Sequence, residues 1–217
     1  MLDWHDVDTV MLDMDGTLLD LHYDNHFWLT HLPQRYAQTH GLTLQQAEEK
    51  LVGQIDARRG TLEWYCLNFW SRELQMDIPA VLREIEDRVA LRPHTPAFLD
   101  ALRRMEKHVL LVTNAHPDGL VRKLELTGID RWMDGIITSH ELRHAKESPY
   151  FWEALSRHID FDPDRTLFVD DNEHVLAAAR DFGIGHLLCI RQPDSRGPLR
   201  EITDFPAIHH FDEIVPL

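Results

Sequence analysis

The sequence predicts an α/β fold, a parallel sheet covered by helices on both faces, with an inserted all-helical cap. Three observations carry that expectation. Strand-length apolar runs alternate with helix-length amphipathic segments along most of the chain. One stretch of roughly 70 residues breaks the alternation and shows helical patterns alone. Acidic residues recur just past the ends of the expected strands.

The strands are expected at Val7 to Leu12, Val109 to Thr113, Gly135 to Thr138, Thr166 to Asp170 and His186 to Ile190. These runs are continuous rather than alternating, the pattern of strands buried on both faces of a parallel sheet. Helices are expected at Thr95 to Lys107, Pro117 to Thr127, Pro149 to Arg157 and Glu173 to Phe182. Several open on Pro or an acidic residue and close near Gly128 or Gly183, which are start and stop signals. Between His22 and Leu91, apolar residues recur at helical spacing in Leu62, Tyr65 and Phe69, and again in Ile78, Val81, Leu82, Ile85 and Val89. The chain therefore divides into a core of residues 1–20 and 92–217 and a helical cap of residues 21–91. The turn-rich tail after Pro193 offers one further short helix or strand.

With 217 residues and 43% apolar content, the chain can build one full core, or a core with an appended lobe, without disulfide or metal staples. Its 22 Lys and Arg against 37 Asp and Glu give a formal charge of −15, and the cations are scattered. This argues against nucleic-acid and anionic-membrane partners, and an anionic substrate would need a local positive field. Two cysteines, Cys66 and Cys189, and an N-terminus with no basic or apolar leader point to the cytoplasm. No apolar run approaches the ~20 residues of a membrane span.

In a doubly wound sheet, ligands bind beyond the carboxyl ends of the strands. Those ends carry Asp13-Met14-Asp15-Gly16-Thr17, Thr113-Asn114, the segment His140 to Lys146, and Asp170-Asp171. Four carboxylates converging on one edge would repel one another, and a hard divalent cation resolves the repulsion. Oxygen ligation with open positions suits Mg²⁺. Lys146 and the backbone amides beyond Thr17, Asn114 and Asp171 supply the local positive field.

Asp-Xaa-Asp-Gly-Thr after the first strand, Thr after the second, Lys ahead of a helix and Asp-Asp after the fourth resemble the four motifs of the haloacid dehalogenase-like (HAD) phosphohydrolases. The resemblance covers the whole core and implies a Rossmann-like sheet. It implies that Asp13 attacks phosphorus, giving an aspartyl-phosphate, while Asp15 protonates the leaving oxygen and then activates water. It further implies Mg²⁺ held by Asp13, the Asp15 carbonyl and Asp170, with Asp171 in support. Thr113, Asn114 and Lys146 would bind the phosphoryl group. C–halogen hydrolases of this superfamily lack the second Asp, so Asp15 favours phosphate esters. The third motif departs from the usual Lys-Pro, reading Lys146-Glu147-Ser148-Pro149. Residues 8–20, Phe27-Trp28, Leu62 with Trp64-Tyr65-Cys66, and Thr113 to Pro117 are similar to bacterial GMP/IMP nucleotidases. A purine nucleoside 5′-monophosphate is therefore the expected substrate on the resemblance alone. Rival readings are a sugar-phosphate phosphatase, a phosphomutase on the same scaffold, and a non-catalytic module that binds a phosphorylated ligand.

Each residue also has a plainer alternative. Lys146 could be a solvated surface lysine, Thr113 or Asn114 could cap the following helix, and Asp171 could cap the helix near Glu173. His140-Glu141-Leu142-Arg143-His144 fits the zinc-binding His-Glu-Xaa-Xaa-His pattern, but Pro149 follows closely, and the segment is expected to be a solvated loop. In the cap, Trp64, Tyr65, Phe69 and Trp70 are candidates for stacking on a base or for internal packing. Tyr23, Asp24 and His26 lie where a flap would close over the site.

Overall fold

A computed structural model describes residues 2–215. Its single sheet has six parallel strands: β1 (Thr9–Leu12), β2 (His108–Thr113), β3 (Gly135–Thr138), β4 (Thr166–Asp170), β5 (His186–Ile190) and β6 (Ala207–Ile208). They lie in the order β3-β2-β1-β4-β5-β6. β1 is central, its Leu12 paired with Leu111 on one side and Val169 on the other. The carboxyl ends of β1, β2 and β4 are thereby brought side by side. The expected short element in the tail is β6, followed by a 3-10 turn at Phe211–Glu213.

Period-two alternation sorts the strand side chains onto two faces. Val10 and Leu12 point to one, packing with Phe98, Leu99 and Leu102 of α7 (Thr95–Arg104) and Leu120 of α8 (Pro117–Thr127). Met11 points to the other, with Phe151, Trp152 and Leu155 of α10 (Pro149–His158) and Val175, Leu176 and Ala179 of α11 (Glu173–Phe182). A four-residue helix, α9 (Ser139–Leu142), follows β3. The sequence expectation of a helix to Lys107 overshoots, because α7 ends at Arg104 and Glu106 adopts φ 54.

Between β1 and α7 the described chain holds helices and two isolated β-bridges, Asp15 to Leu19 and Leu19 to Leu91, but no strand of the sheet. The helices in sequence are α1 (His22–His26), continued by a π-helical turn (Phe27–His31), α2 (Leu32–His40), α3 (Leu44–Asp56), α4 (Leu62–Tyr65), α5 (Leu67–Leu74) and α6 (Ile78–Arg83). Phe27, Leu32, Leu51, Trp70, Leu74, Ile78 and Val81 form a buried cluster of their own. Two backbone hydrogen bonds join the chain's exit from the core to its return: Asp20 N–H to the Ala90 carbonyl (2.9 Å) and Arg92 N–H to the Leu18 carbonyl (2.9 Å). Among the described residues no helix is long and apolar enough to cross a membrane.

Candidate active site

Asp13 leaves the end of β1 with its N–H bonded to the Val169 carbonyl of β4 (3.0 Å), so it faces Asp170 across one strand spacing. Carboxylate oxygens of Asp13, Asp170 and Asp171 all lie within 4.8 Å of one another. Gly16 makes this possible. It sits at φ +90, and a Cβ there would meet the Asp171 carboxyl carbon at 2.8 Å.

Lys146 is buried, contrary to its surface alternative, and its Nζ donates to Asp13 Oδ1 (2.6 Å), Asp170 Oδ2 (2.7 Å) and the Val112 carbonyl (3.1 Å). It is carried by the loop before α10, where Asn114 Oδ1 accepts its backbone N–H (3.0 Å) and Trp152 Nε1 donates to its carbonyl (2.9 Å). The Lys-Glu-Ser-Pro departure therefore leaves the ammonium well placed. Ser148 supplies the N-cap of α10 instead.

Burial pushes the Asp13 carboxyl well above the ordinary carboxylate range against the pull of Lys146, and Asp170 and Asp171 push it the same way. Burial, then the Asp170 charge, raises Asp171 to about 7. Burial also raises Asp170, and burial opposes the Lys146 charge, yet the two carboxylates hold that ammonium firmly protonated. Three carboxylates against one ammonium leave a formal −2 at the strand ends. An all-oxygen donor set with that deficit fits a hard divalent cation.

Asp15 does not join this trio. Its carboxylate turns to Lys123 Nζ (2.7 Å), which also binds both oxygens of Asp24 (2.9 Å each). Lys123 lies on α8, is buried, and stays protonated because Asp15 and Asp24 outweigh its desolvation. Sequence reading missed it, since one Lys in an amphipathic helix looks like its solvated neighbours. Asp24 carries the flap expectation into this network, and burial with the Asp15 charge raises it to about 6. Tyr23 packs its ring 5.2 Å from Lys123 Nζ, whereas His26 lies against His22 and His31 and does not line the cleft.

Thr113 is buried and its Oγ1 accepts the Ala115 N–H (3.0 Å), which leaves the hydroxyl proton to donate elsewhere. His116 caps α8 and Asn172 caps α11, so neither Asn114 nor Asp171 is a helix cap. Asn114 Nδ2 donates to Glu147 Oε2 (3.0 Å), and Tyr65 OH to Glu147 Oε1 (2.5 Å). Glu147 and Arg200, whose Nη2 donates to the Asp171 carbonyl (2.6 Å), also escaped sequence reading, although the break in the third motif fell at Glu147.

These groups floor a cleft of about 2010 Å³ roofed by helical residues including Trp28, Trp64 and Tyr65. Trp64 and Tyr65 face it. Trp70, 1% exposed, touches it from within the buried cluster of these helices, donating from Nε1 to the Trp64 carbonyl (2.7 Å), and Phe69 does not line it. The His-Glu-Xaa-Xaa-His segment forms no two-histidine site: it is the short α9 plus a turn, with His144 against Tyr150 and His140 against His116.

The model of the haloacid dehalogenase-like hydrolases matches residues 7–183. Over 213 residues, 98% of this chain and 96% of the relative, the sequence is 41% identical to the GMP/IMP nucleotidase YrfG of Escherichia coli. Among solved structures it is similar to a HAD phosphatase from Thermococcus onnurineus, with TM-score 0.76, 22% identity and 96% of each chain covered. It is also similar to the magnesium-bound HAD-hydrolase YfnB of Bacillus subtilis, with TM-score 0.69, 17% identity and 96% of each chain covered.

Proposed function

The chain belongs to the haloacid dehalogenase-like hydrolase family, and from that premise we propose a Mg²⁺-dependent phosphatase acting on purine nucleoside 5′-monophosphates. The observation that carries the reading is Lys146 Nζ bridging Asp13 and Asp170 beside Asp171. The 41% identity to a GMP/IMP nucleotidase supports the substrate class.

Asp13, Asp170 and the Asp15 carbonyl would hold the ion, with Asp171 beside them. When bound, Mg²⁺ neutralises phosphate charge and orients the ester. Asp13 Oδ attacks phosphorus and the ester oxygen departs with a proton from Asp15, leaving the phosphoryl group on Asp13. Asp15 then takes a proton from water, whose oxygen attacks phosphorus and restores the Asp13 carboxylate. Lys146 pulls Asp13 toward its ionised form for attack, and Thr113, Asn114 and Lys146 line the phosphoryl pocket. Lys123 aims the Asp15 carboxylate. The core of residues 1–20 and 92–217 supplies this chemistry, while the cap of 21–91 presents Trp64 and Tyr65 to the leaving nucleoside and excludes water.

A phosphate-release screen over nucleotides and sugar phosphates, with and without Mg²⁺, tests this. GMP and IMP should be hydrolysed fastest and only with the ion. Preference for sugar phosphates would discard the nucleotide reading, and sugar-phosphate isomerisation without phosphate release would make the chain a mutase.

A further inference from the structure

Away from the carboxylate trio, the fold assembles a second group of potential ligands with different chemistry. Cys66, His116 and His140 each bring one donor atom to within 4.8 Å of the other two. Cys66 sits at the junction of α4 and α5, His116 at the start of α8 and His140 in α9. The cluster therefore joins the helical insertion to two loops at the strand ends. The two imidazoles meet edge to face at 4.9 Å between centroids.

His140 Nε2 is buried and has no hydrogen-bond partner. Buried polar atoms are rarely left in that state, and a bound ligand would relieve it. His116 Nδ1 accepts the Asp118 N–H (3.3 Å) and Nε2 faces the Asn68 amide at 3.2 Å, so an ion bound at Nε2 would replace the Asn68 contact and turn Nδ1 toward the Asp118 carboxylate, 3.6 Å away. A carboxylate at the far ring nitrogen is what orients a metal-ligating histidine. The Phe69 N–H donates to Cys66 Sγ (3.4 Å) and fixes the direction of the sulfur.

We propose that Cys66, His116 and His140 form a second metal site, for a zinc-class divalent cation, that ties the helical cap to the core. One sulfur and two imidazole nitrogens suit zinc and not Mg²⁺, which takes oxygen ligands. Donors bonded to zinc at about 2.0–2.3 Å sit roughly 3.3–3.8 Å apart, so small side-chain rotations close the trio, and a water completes the tetrahedron. The histidine comes from the run that resembled a zinc motif, but its partners are Cys66 and His116 rather than His144. Because the donors share nothing with Asp13, Asp170 and Asp171, the two sites do not compete for one ion.

Titrating the metal-free full-length protein with Co²⁺ under saturating Mg²⁺ tests the site. One equivalent should produce tetrahedral cobalt bands and a near-ultraviolet thiolate-to-cobalt transition, both abolished by added Zn²⁺. Cys66→Ser should lose the thiolate transition, and His140→Gln should weaken binding by at least about 10-fold. Zn²⁺ should also protect Cys66 of the unaltered protein from alkylation, a readout that needs no variant. A thiolate band that persists in Cys66→Ser, cobalt binding that vanishes once Mg²⁺ saturates, or alkylation of Cys66 indifferent to Zn²⁺ would each overturn the proposal.

Discussion

Asp15 and Lys123 show how one part-buried ion pair couples the strand ends to the helices above them. Asp15→Asn removes the proposed proton donor but leaves Asp13 in place. Turnover of nucleotides should collapse while p-nitrophenyl phosphate, whose phenolate needs no proton to leave, is affected far less. Equal losses for both ester types in steady-state assays would count against Asp15 as the acid. Asp13→Asn removes the proposed nucleophile itself, and both ester types should lose about 10⁴-fold or more in kcat. Lys123→Met strands Asp15 and Asp24 without their shared cation. Urea unfolding should register a loss of about 3 kcal/mol, the low end for breaking a buried pair, because both carboxylates keep some contact with water.

Among the elements, α10 matters beyond its apolar face. Its Trp152 packs on Phe168 of β4, edge to face at 5.0 Å, and its indole N–H holds the Lys146 carbonyl. The helix thus positions the loop that carries the ammonium. Trp152→Phe keeps most of the packing but orphans that carbonyl, which costs about 1–3 kcal/mol. Thermal unfolding should show the loss, and kcat should fall with it as Lys146 loosens. Trp152→Leu would lose the ring packing and the hydrogen bond together, whereas Phe removes the hydrogen bond and keeps a ring. The largest fully buried side chains of the insertion, Phe27 and Trp70, belong to a cluster of its own, whereas Asp24 and Tyr65 reach the strand-end network.

For the molecule as a whole, acid sensitivity should report the junction between insertion and core. His140 is held near 4 in the folded protein, below its ordinary 6.5, so the unfolded chain binds a proton that the folded one refuses between those values. Stability from this group is present above pH 6.5 and is lost as pH falls toward 4. The drop in urea midpoint from pH 7 to pH 5 in metal-free protein should be smaller in His140→Gln than in the unaltered chain. An unchanged drop would mean that His140 is not desolvated at this junction. The raised carboxyls Asp24 and Asp171 work in the opposite sense, and comparing the two proteins cancels them.

The chain alone determined the alternation of strands and helices, the helical insertion, and the acidic residues at the ends of β1 and β4. Those features are local: an apolar run of strand length and a carboxylate just past it stand together in a few consecutive residues. A parallel sheet was expected, but its order β3-β2-β1-β4-β5-β6, which sets Asp13 beside Asp170, was decided by strand pairing. The partnership of Lys123 with Asp15 and Asp24, the bridge from Tyr65 to Glu147, and the meeting of Cys66 with His116 and His140 belong to the tertiary structure alone. Each joins side chains that no periodicity links, and a buried charge or ring nitrogen shows its purpose only when folding removes its water and supplies another partner.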